Sequence, residues 1–552
     1  MKILAFTEPL KKAVLLRKAL RDLWLLFDPY FKKGIRLMRI GVDVGGTNTD
    51  AVLMDGDTLI ASTKTPTTED VSSGIINTIS TVLNAKSTRP EEIQVVMIGT
   101  THFTNAFVEG KHLLEVGAIR LSLPSGRGIP PMFDWPERLK ARMGNHSYQV
   151  GGGYQFDGRL NAPLDESAIA SAARDMKRKG IKTVAIAGIF SQINSAQEFR
   201  ADEIVRNEIP DVSVTLSHNI GRIGMLEREN AAIMNASLAD LSTKIVNSFR
   251  SALTNLNITA PFFISQNDGT LMSAEFVEKY PVLTFASGPT NSMRGAAYLS
   301  GIKNAIVADI GGTTTDIGVL VDGFPRESSV TVDIGGVRTN FHMPDIFAIG
   351  LGGGSQVRDG ETVSVGPDSV GYRLTEEALV FGGNTLTTSD IAVAAGQVEM
   401  GDPARVKHLD AGFVSRALDR IHANLAESVD RMKSSAKPVP LILVGGGAVL
   451  ISRPLPGISE VITPQSAGVA NAIGASIAQV GGEVDRVYSY EELGRDTAMA
   501  RAKAEAIGQA EAAGAVKGSV EVLEVEEIPI PYVPGGAVRL RVKAVGDLSL
   551  SE

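Results

Sequence analysis

Residues 40–50 read IGVDVGGTNTD, and residues 307–318 read VADIGGTTTDIG. In each copy an apolar strand runs into an Asp, a Gly-Gly pair follows, then small polar residues, then a second Asp. Asp43, Gly45, Gly46, Thr47 and Asp50 match Asp309, Gly311, Gly312, Thr313 and Asp316 in spacing. One such segment alone reads equally well as a hairpin turn bent by Gly and closed by Asp. Two with the same offsets, each on an expected strand, read instead as the halves of a clamp closing on one phosphorylated ligand.

The chemistry of the repeat supports that reading. Paired glycines let backbone N–H groups approach an anion without Cβ obstruction. The polar residues between the acids, Thr47 and Asn48 in one copy and Thr313 and Thr314 in the other, add donors for phosphate oxygens. A carboxylate at a strand end suits hydrated Mg²⁺, which takes one or two carboxylates together with water and phosphate. Asp43 and Asp309 are the expected metal-proximal pair, and Asp43 or Asp316 the group that polarises the attacking atom. A third glycine run, Gly445-Gly446-Gly447, follows the apolar stretch 440–444 and suits close passage of backbone along an adenosine. No GxxxxGK[ST] occurs, and the first strand–turn unit lacks GxGxxG, so P-loop and Rossmann fingerprints are missing.

At 552 residues the chain exceeds what one core organises, so more than one domain is expected. A net charge of −8 and the absence of a basic stripe argue against nucleic acid as a partner. With no cysteine, disulfides, thiol nucleophiles, Cys-bound zinc and iron–sulfur clusters are excluded. This agrees with a reducing cytoplasm, the expected compartment. No apolar run is long enough for a spanning helix. Residues 1–37 are basic and leucine-rich without a signal-peptide pattern. They read best as a peripheral arm or an over-extended start ahead of Met38, with a membrane-surface helix or presequence as the other reading.

Strands are expected at 38–44, 50–55, 58–64, 95–100, 183–190 and 214–220, and on both sides of the second Gly-Gly pair. Helices are expected at 69–84, 165–181, 222–258, 467–479 and 489–512, and a closing hairpin from 520–530 and 537–546. Strands alternating with helices indicate an α/β fold.

The order of phosphate loop, helix, phosphate loop, glycine run and small-residue helix resembles the actin/sugar-kinase/Hsp70 ATPase superfamily. More narrowly, VDVGGTNTDAVLMD, GTTHFTNAFVEGK (99–111), ASGPTNSMRGAAYLSG, VADIGGTTTDIGV, IGLGGGSQV (349–357), the Ser-Asp of FGGNTLTTSDIAVAAG (381–396) and NAIGAS resemble the hydantoinase A/oxoprolinase family, from Met38 to the C-terminus. The resemblance implies two actin-like (ribonuclease H-like) lobes with an ATP cleft between them and a small C-terminal α+β segment. The implied division is 1–37, a basic extension; 38–220, a lobe with the first phosphate loop; 221–482, a lobe with the second phosphate and adenosine loops; and 483–552, a helix and hairpin.

It further implies an ATP- and Mg²⁺-dependent opening of a cyclic amide such as a hydantoin, 5-oxoproline or a lactam, through phosphoryl activation of the amide. Carboxylating relatives exist, a second, B-type subunit is a candidate partner, and an oligomer is expected. The chain departs from the family pattern at Thr101-His102-Phe103-Thr104-Asn105, at Asp345-Ile346-Phe347 and at Asn194-Ser195-Ala196-Gln197-Glu198. His102, Asn105, His342 and Ser355 are the candidate substrate residues, and His102 and His342, with Glu109 or Asp345, invite a second-metal reading. Two other functions fit the same loops: a small-molecule kinase, and a non-catalytic partner subunit gated by nucleotide.

Overall fold

The computed structural model describes residues 38–46, 48–67, 71–328, 331–340, 343–531 and 535–549. The readings made for residues 1–37, Thr47 and His342 fall outside them. The fold is α/β, with mixed sheets and helices.

Each Asp-x-Gly-Gly segment bends an antiparallel hairpin, and each hairpin belongs to its own sheet. The first, Met38–Val44 with Asn48–Asp55, lies near one edge of a nine-stranded sheet and is followed there by Thr58–Pro66. On its other side Met38–Val44 pairs in parallel with Ile93–Thr100. The second, Ala305–Ile310 with Thr315–Val321, lies in a six-stranded sheet and pairs in parallel with Val439–Val444. A separate parallel sheet holds His146–Gly151, Gly117–Leu123, Thr183–Gly188 and Ser213–Leu216.

Period-two side-chain alternation explains how the second sheet is covered on both faces. Ile306, Ala308, Leu441 and Leu443 pack with Phe413, Leu418, Ile421 and Leu425 of the long helix Ala411–Met432. Their neighbours Ala305, Val307, Ile442 and Val444 point the other way, onto Met293 and Ala296 of the helix Ser287–Ser300. In the first sheet Ala51 and Leu53 enter the large core, while Val52 and Met54 meet Ala472 and Ile473 of the helix Ala470–Ser476.

These two helices join the sheets by crossing each other at glycine. A Cβ on Gly295 would overlap the Ala470 carbonyl oxygen, and one on Gly474 would overlap that of Asn291. Gly41 lets the helix Ala470–Ser476 lie on the first strand in the same way, since a Cβ there would strike Ala472 O.

The long segment read as one helix, 222–258, is two, Met225–Ser237 and Ala239–Asn255, separated at Leu238, whose ψ is 0°. The small-residue helix also stops short, at Ser476, and Gln479–Ser489 becomes a strand. That strand carries the closing hairpin, Glu521–Pro529 with Ala537–Gly546, into the nine-stranded sheet. There the buried Lys543 Nζ lies 2.9 Å from Asp268 and 3.3 Å from Glu327, the latter beyond the second hairpin. Arg541 pairs with the same Glu327, giving a second tie between the sheets. Buried charge pairs of this kind select one arrangement more than they add stability. Among the described residues no helix is long and apolar enough to cross a membrane.

Gly295→Ala is expected to destabilise the protein by about 3 kcal/mol or more, because a backbone carbonyl has little room to retreat. Gly508→Ala, in the helix Arg495–Ala512 where a Cβ meets nothing, is expected to stabilise by roughly 0.5–1 kcal/mol. Denaturant melts of the two variants beside the parent protein check both signs.

Candidate functional site

Backbone register places the acids in pairs. Asp43 stands opposite Asp50 across the first hairpin, and Asp309 opposite Asp316 across the second. The turns close alike, with Gly45 N donating to Asn48 O at 3.0 Å and Gly311 N to Thr314 O at 2.9 Å. In both halves a glycine on the adjoining parallel strand or just past it leaves room for the first acid. A Cβ on Gly99 would sit 2.5 Å from Asp43 Oδ1, and one on Gly445 would overlap Asp309 Oδ1.

The crossing helices hold these two acids from beneath. Asn471 Nδ2 donates to Asp43 Oδ2 at 2.8 Å, and Ser292 Oγ donates to Asp309 Oδ2 at 2.5 Å. The halves differ in one respect. Lys64, on the strand beside Asp50, places Nζ 2.6 Å from Asp50 Oδ2. The residue opposite Asp316 is Ala348.

Three of the four acids line a single cavity, and Asp316 lies across the hairpin from the third, Asp309. A volume of about 370 Å³ is lined by Asp43, Asp50 and Lys64 from the first sheet and Asp309 from the second. Gly45, Gly46, Asn48, Gly311, Gly312, Thr313 and Thr314 line it from the two turns, and Gly445, Gly446 and Gly447 from the third glycine run. Val398, Met400, Val449 and Leu450 supply an apolar wall. At Gly312 and Gly446 a Cβ would meet nothing, so open space lies beside their backbone.

Burial is costly for so many carboxylates. It pushes Asp43 up to about 7, helped by the neighbouring Asp50 and opposed by the Asn471 hydrogen bond. It pushes Asp316 up to about 7 as well, with Asp309 adding to the effect. Asp50 and Asp309 are raised by the same burial, against the pull of Lys64 and of Ser292 respectively. Asp43 Oδ1 and Asp50 Oδ1 are buried without a hydrogen-bond partner. Unpartnered carboxylate oxygens beside open backbone amides fit a hydrated divalent cation that shares phosphate ligands. Among the described residues no group of three or more His, Asp or Glu is placed to hold a metal by side chains alone.

The other candidates lie away from the cavity. His102 begins the helix His102–Glu109, and its Nδ1 lies 2.7 Å from Thr100 Oγ1. Burial lowers its pKa, which keeps the ring neutral. Asn105 hydrogen-bonds to Thr101 at 3.4 Å and lies near Gly46 without lining the cavity. Glu109 pairs with Lys111 and Asp345 with Arg326, so the carboxylates considered for a second metal are already engaged.

Ser355 is fully buried, accepting from Gly352 N at 2.9 Å and donating to Gly350 O at 3.3 Å. Its loop braces the second turn: Gly353 N donates to Gly311 O at 2.9 Å and Gly354 N to Gly312 O at 2.6 Å. The neighbouring Ser389 Oγ donates to Gly353 O, while Asp390 caps its helix and accepts from Val380 N.

Sequence reading did not single out Lys64, Ser292 or Asn471 for these roles. Lys64 carried no simple signal, since counting register from the Asp55-Gly56 turn sets Thr63 opposite Asp50, and a β-bulge at Leu53/Met54 moves Lys64 there instead.

The sequence matches the hydantoinase/oxoprolinase N-terminal region over residues 39–209 and hydantoinase/oxoprolinase over residues 228–436. The acetophenone carboxylase gamma subunit of Aromatoleum aromaticum is 26% identical over 521 residues, covering 83% of this chain and 69% of that one. The caprolactamase subunit alpha of Pseudomonas jessenii is 27% identical over 421 residues, covering 70% of this chain but only 58% of its own length. The crystal structure of the ATP-dependent caprolactamase from Pseudomonas jessenii superposes with a TM-score of 0.75 at 20% identity, over 93% of this chain and 88% of that one. At that identity the likeness establishes the α/β fold alone.

Because Asp316 holds its proton more tightly when folded (about 7 against an ordinary 3.8), the folded chain binds a proton that the unfolded chain lacks between those pH values. Its contribution is most favourable at low pH and declines as pH rises through that window. Asp316→Asn, which does not titrate, is therefore expected to be more stable than the parent at pH 8, by on the order of 1 kcal/mol, with the difference shrinking toward about pH 4. Thermal melts at several pH values test this, and a shift independent of pH would contradict it.

Proposed function

The chain belongs to the hydantoinase/oxoprolinase family, and on that footing we propose that it is the ATP-using subunit of an enzyme that opens a cyclic amide. The observation that carries the reading is the mirrored pair of Asp-Gly-Gly hairpins, each from its own sheet, around one cavity that continues to Gly445–Gly447. Two such turns suit the phosphates of one nucleotide between two actin-like lobes, with the adenosine along the third glycine run and its apolar wall. Asp43 and Asp309 are the residues to hold Mg²⁺, which supplies charge neutralisation at the phosphates.

A resonance-stabilised amide resists water until its oxygen becomes a leaving group. In the proposed reaction the amide oxygen attacks the γ-phosphorus of ATP, the bond to the bridging oxygen breaks, and ADP departs. The amide N–H proton passes to Asp316, which has no ion-pair partner among the described residues and whose pKa near 7 suits a general base. Water then adds at the activated carbon, the ring C–N bond breaks as the nitrogen takes up a proton, and a second water hydrolyses the resulting acyl phosphate, releasing phosphate. Overall one ATP, one amide and two waters give the amino acid, ADP and phosphate. Positioning and charge neutralisation do most of the work in such a transfer.

A carboxylase reading also has specific support, since the acetophenone carboxylase gamma subunit is 26% identical over most of this chain. A ketone in its enolate form would accept the phosphoryl group by the same first step. In either reading a second subunit is the expected partner.

ADP release should be measured with 5-oxoproline, hydantoin, caprolactam and aryl ketones plus bicarbonate, with and without a co-encoded B-type subunit. Amide-dependent release of ADP and phosphate with the opened ring is expected. A stable phosphorylated product would move the assignment to a kinase, and nucleotide binding without turnover on any substrate would make the chain a gated partner. Asp316→Asn is expected to lower kcat by roughly 10²- to 10⁴-fold. Since the base must be deprotonated, the parent's rate should rise with pH through about 7.

A further inference from the structure

We propose that Lys64 is a catalytic lysine that moves from Asp50 to the terminal phosphoryl oxygens when nucleotide binds. The assignment rests on the nucleotide reading above and adds a residue to it. Charge balance is the first argument. Asp43, Asp50 and Asp309 line the cavity and Asp316 lies across the hairpin from Asp309, whereas Lys64 is the only lysine or arginine lining it among the described residues. A polyphosphate entering among such carboxylates needs cationic charge beyond a single divalent ion.

Accessibility is the second argument. The Asp50 side chain is 1% exposed, but that of Lys64 is 38% exposed, so the pair is sealed on the carboxylate side and open on the ammonium side. A flexible stem lets the ammonium change partners. Leaving Asp50 has a cost because its carboxylate is buried, and charge-assisted bonds to phosphate offset it. Asymmetry is the third argument. The second hairpin has Ala348 where the first has Lys64, so cationic charge reaches the phosphates from one side only.

The competing account is that Lys64 merely neutralises Asp50, and a double-mutant cycle separates the two. Lys64→Met, Lys64→Arg, Asp50→Asn and the Asp50→Asn/Lys64→Met double variant are compared in the full chain with its partner subunit. The readouts are kcat for ADP release and the affinities for ADP and for a non-hydrolysable ATP analogue. Lys64→Met is expected to lower kcat by about 10²- to 10³-fold, comparable to losing one preorganised transition-state donor. It should weaken the ATP analogue at least about tenfold more than ADP, with part of the loss restored in Lys64→Arg. The double variant should be no faster than Lys64→Met.

Recovery of the double variant to the Asp50→Asn rate, or equal weakening of both nucleotides, would overturn the proposal. Thermal melts separate a folding defect from these effects, and Lys64→Arg keeps the test decisive should Lys64→Met not fold. If the parent protein binds no nucleotide, this proposal and the nucleotide reading fall together. If the parent turns over and Lys64→Met matches it, the lysine assignment alone fails.

Discussion

The site depends on the contact between two helix backbones. Ser287–Ser300 lies on the second sheet, Ala470–Ser476 lies on the first, and they meet where Gly295 faces Ala470 and Gly474 faces Asn291. Any Cβ at either glycine would force the axes apart. The same helices carry Ser292 to Asp309 and Asn471 to Asp43, so the distance between helices also sets the distance between the acids. Packing and chemistry share one constraint here, because the residues that hold the carboxylates neighbour the residues that touch backbone.

This arrangement concentrates negative charge where water is scarce. Desolvation raises all four aspartates, and one lysine offsets them on one side. Cationic charge brought near these carboxylates would offset the burial that raises them. The loop from Gly350 to Ser355 contributes from behind, by tying its own amides to the carbonyls of Gly311 and Gly312. Its glycines permit the approach, and a Cβ on Gly352 would lie 2.7 Å from Thr313 N.

Much of this was legible in the sequence. The repeated Asp-x-Gly-Gly pattern located both hairpins; the pairing of their acids follows from turn length but was read only in the structure. Near-continuous apolar runs at 305–310 and 440–444 marked these segments as buried strands. The strands Gly117–Leu123, His146–Gly151 and Gln479–Ser489 were not recognised. In Gln479–Ser489 buried and partly buried residues alternate, but glycines replace two side chains and blur the period. The break at Leu238 was missed because the Ala and Leu spacing runs through it, although Asn235, Ser237, Asp240, Ser242 and Thr243 weaken helix propensity on either side.

Sequence by itself determined the local chemistry: which residues form each turn, which carboxylates face each other within a hairpin, and where glycine must lie. Those are short-range consequences of backbone register and side-chain size. The matching offsets suggested one clamp, but tertiary structure decided which residues of the two hairpins, more than 250 residues apart, line the one cavity. It also decided that Ser355 belongs to a brace and that the C-terminal hairpin extends the first sheet. The physical reason is that burial and the approach of distant charges are properties of packed surfaces, and no local spacing encodes them.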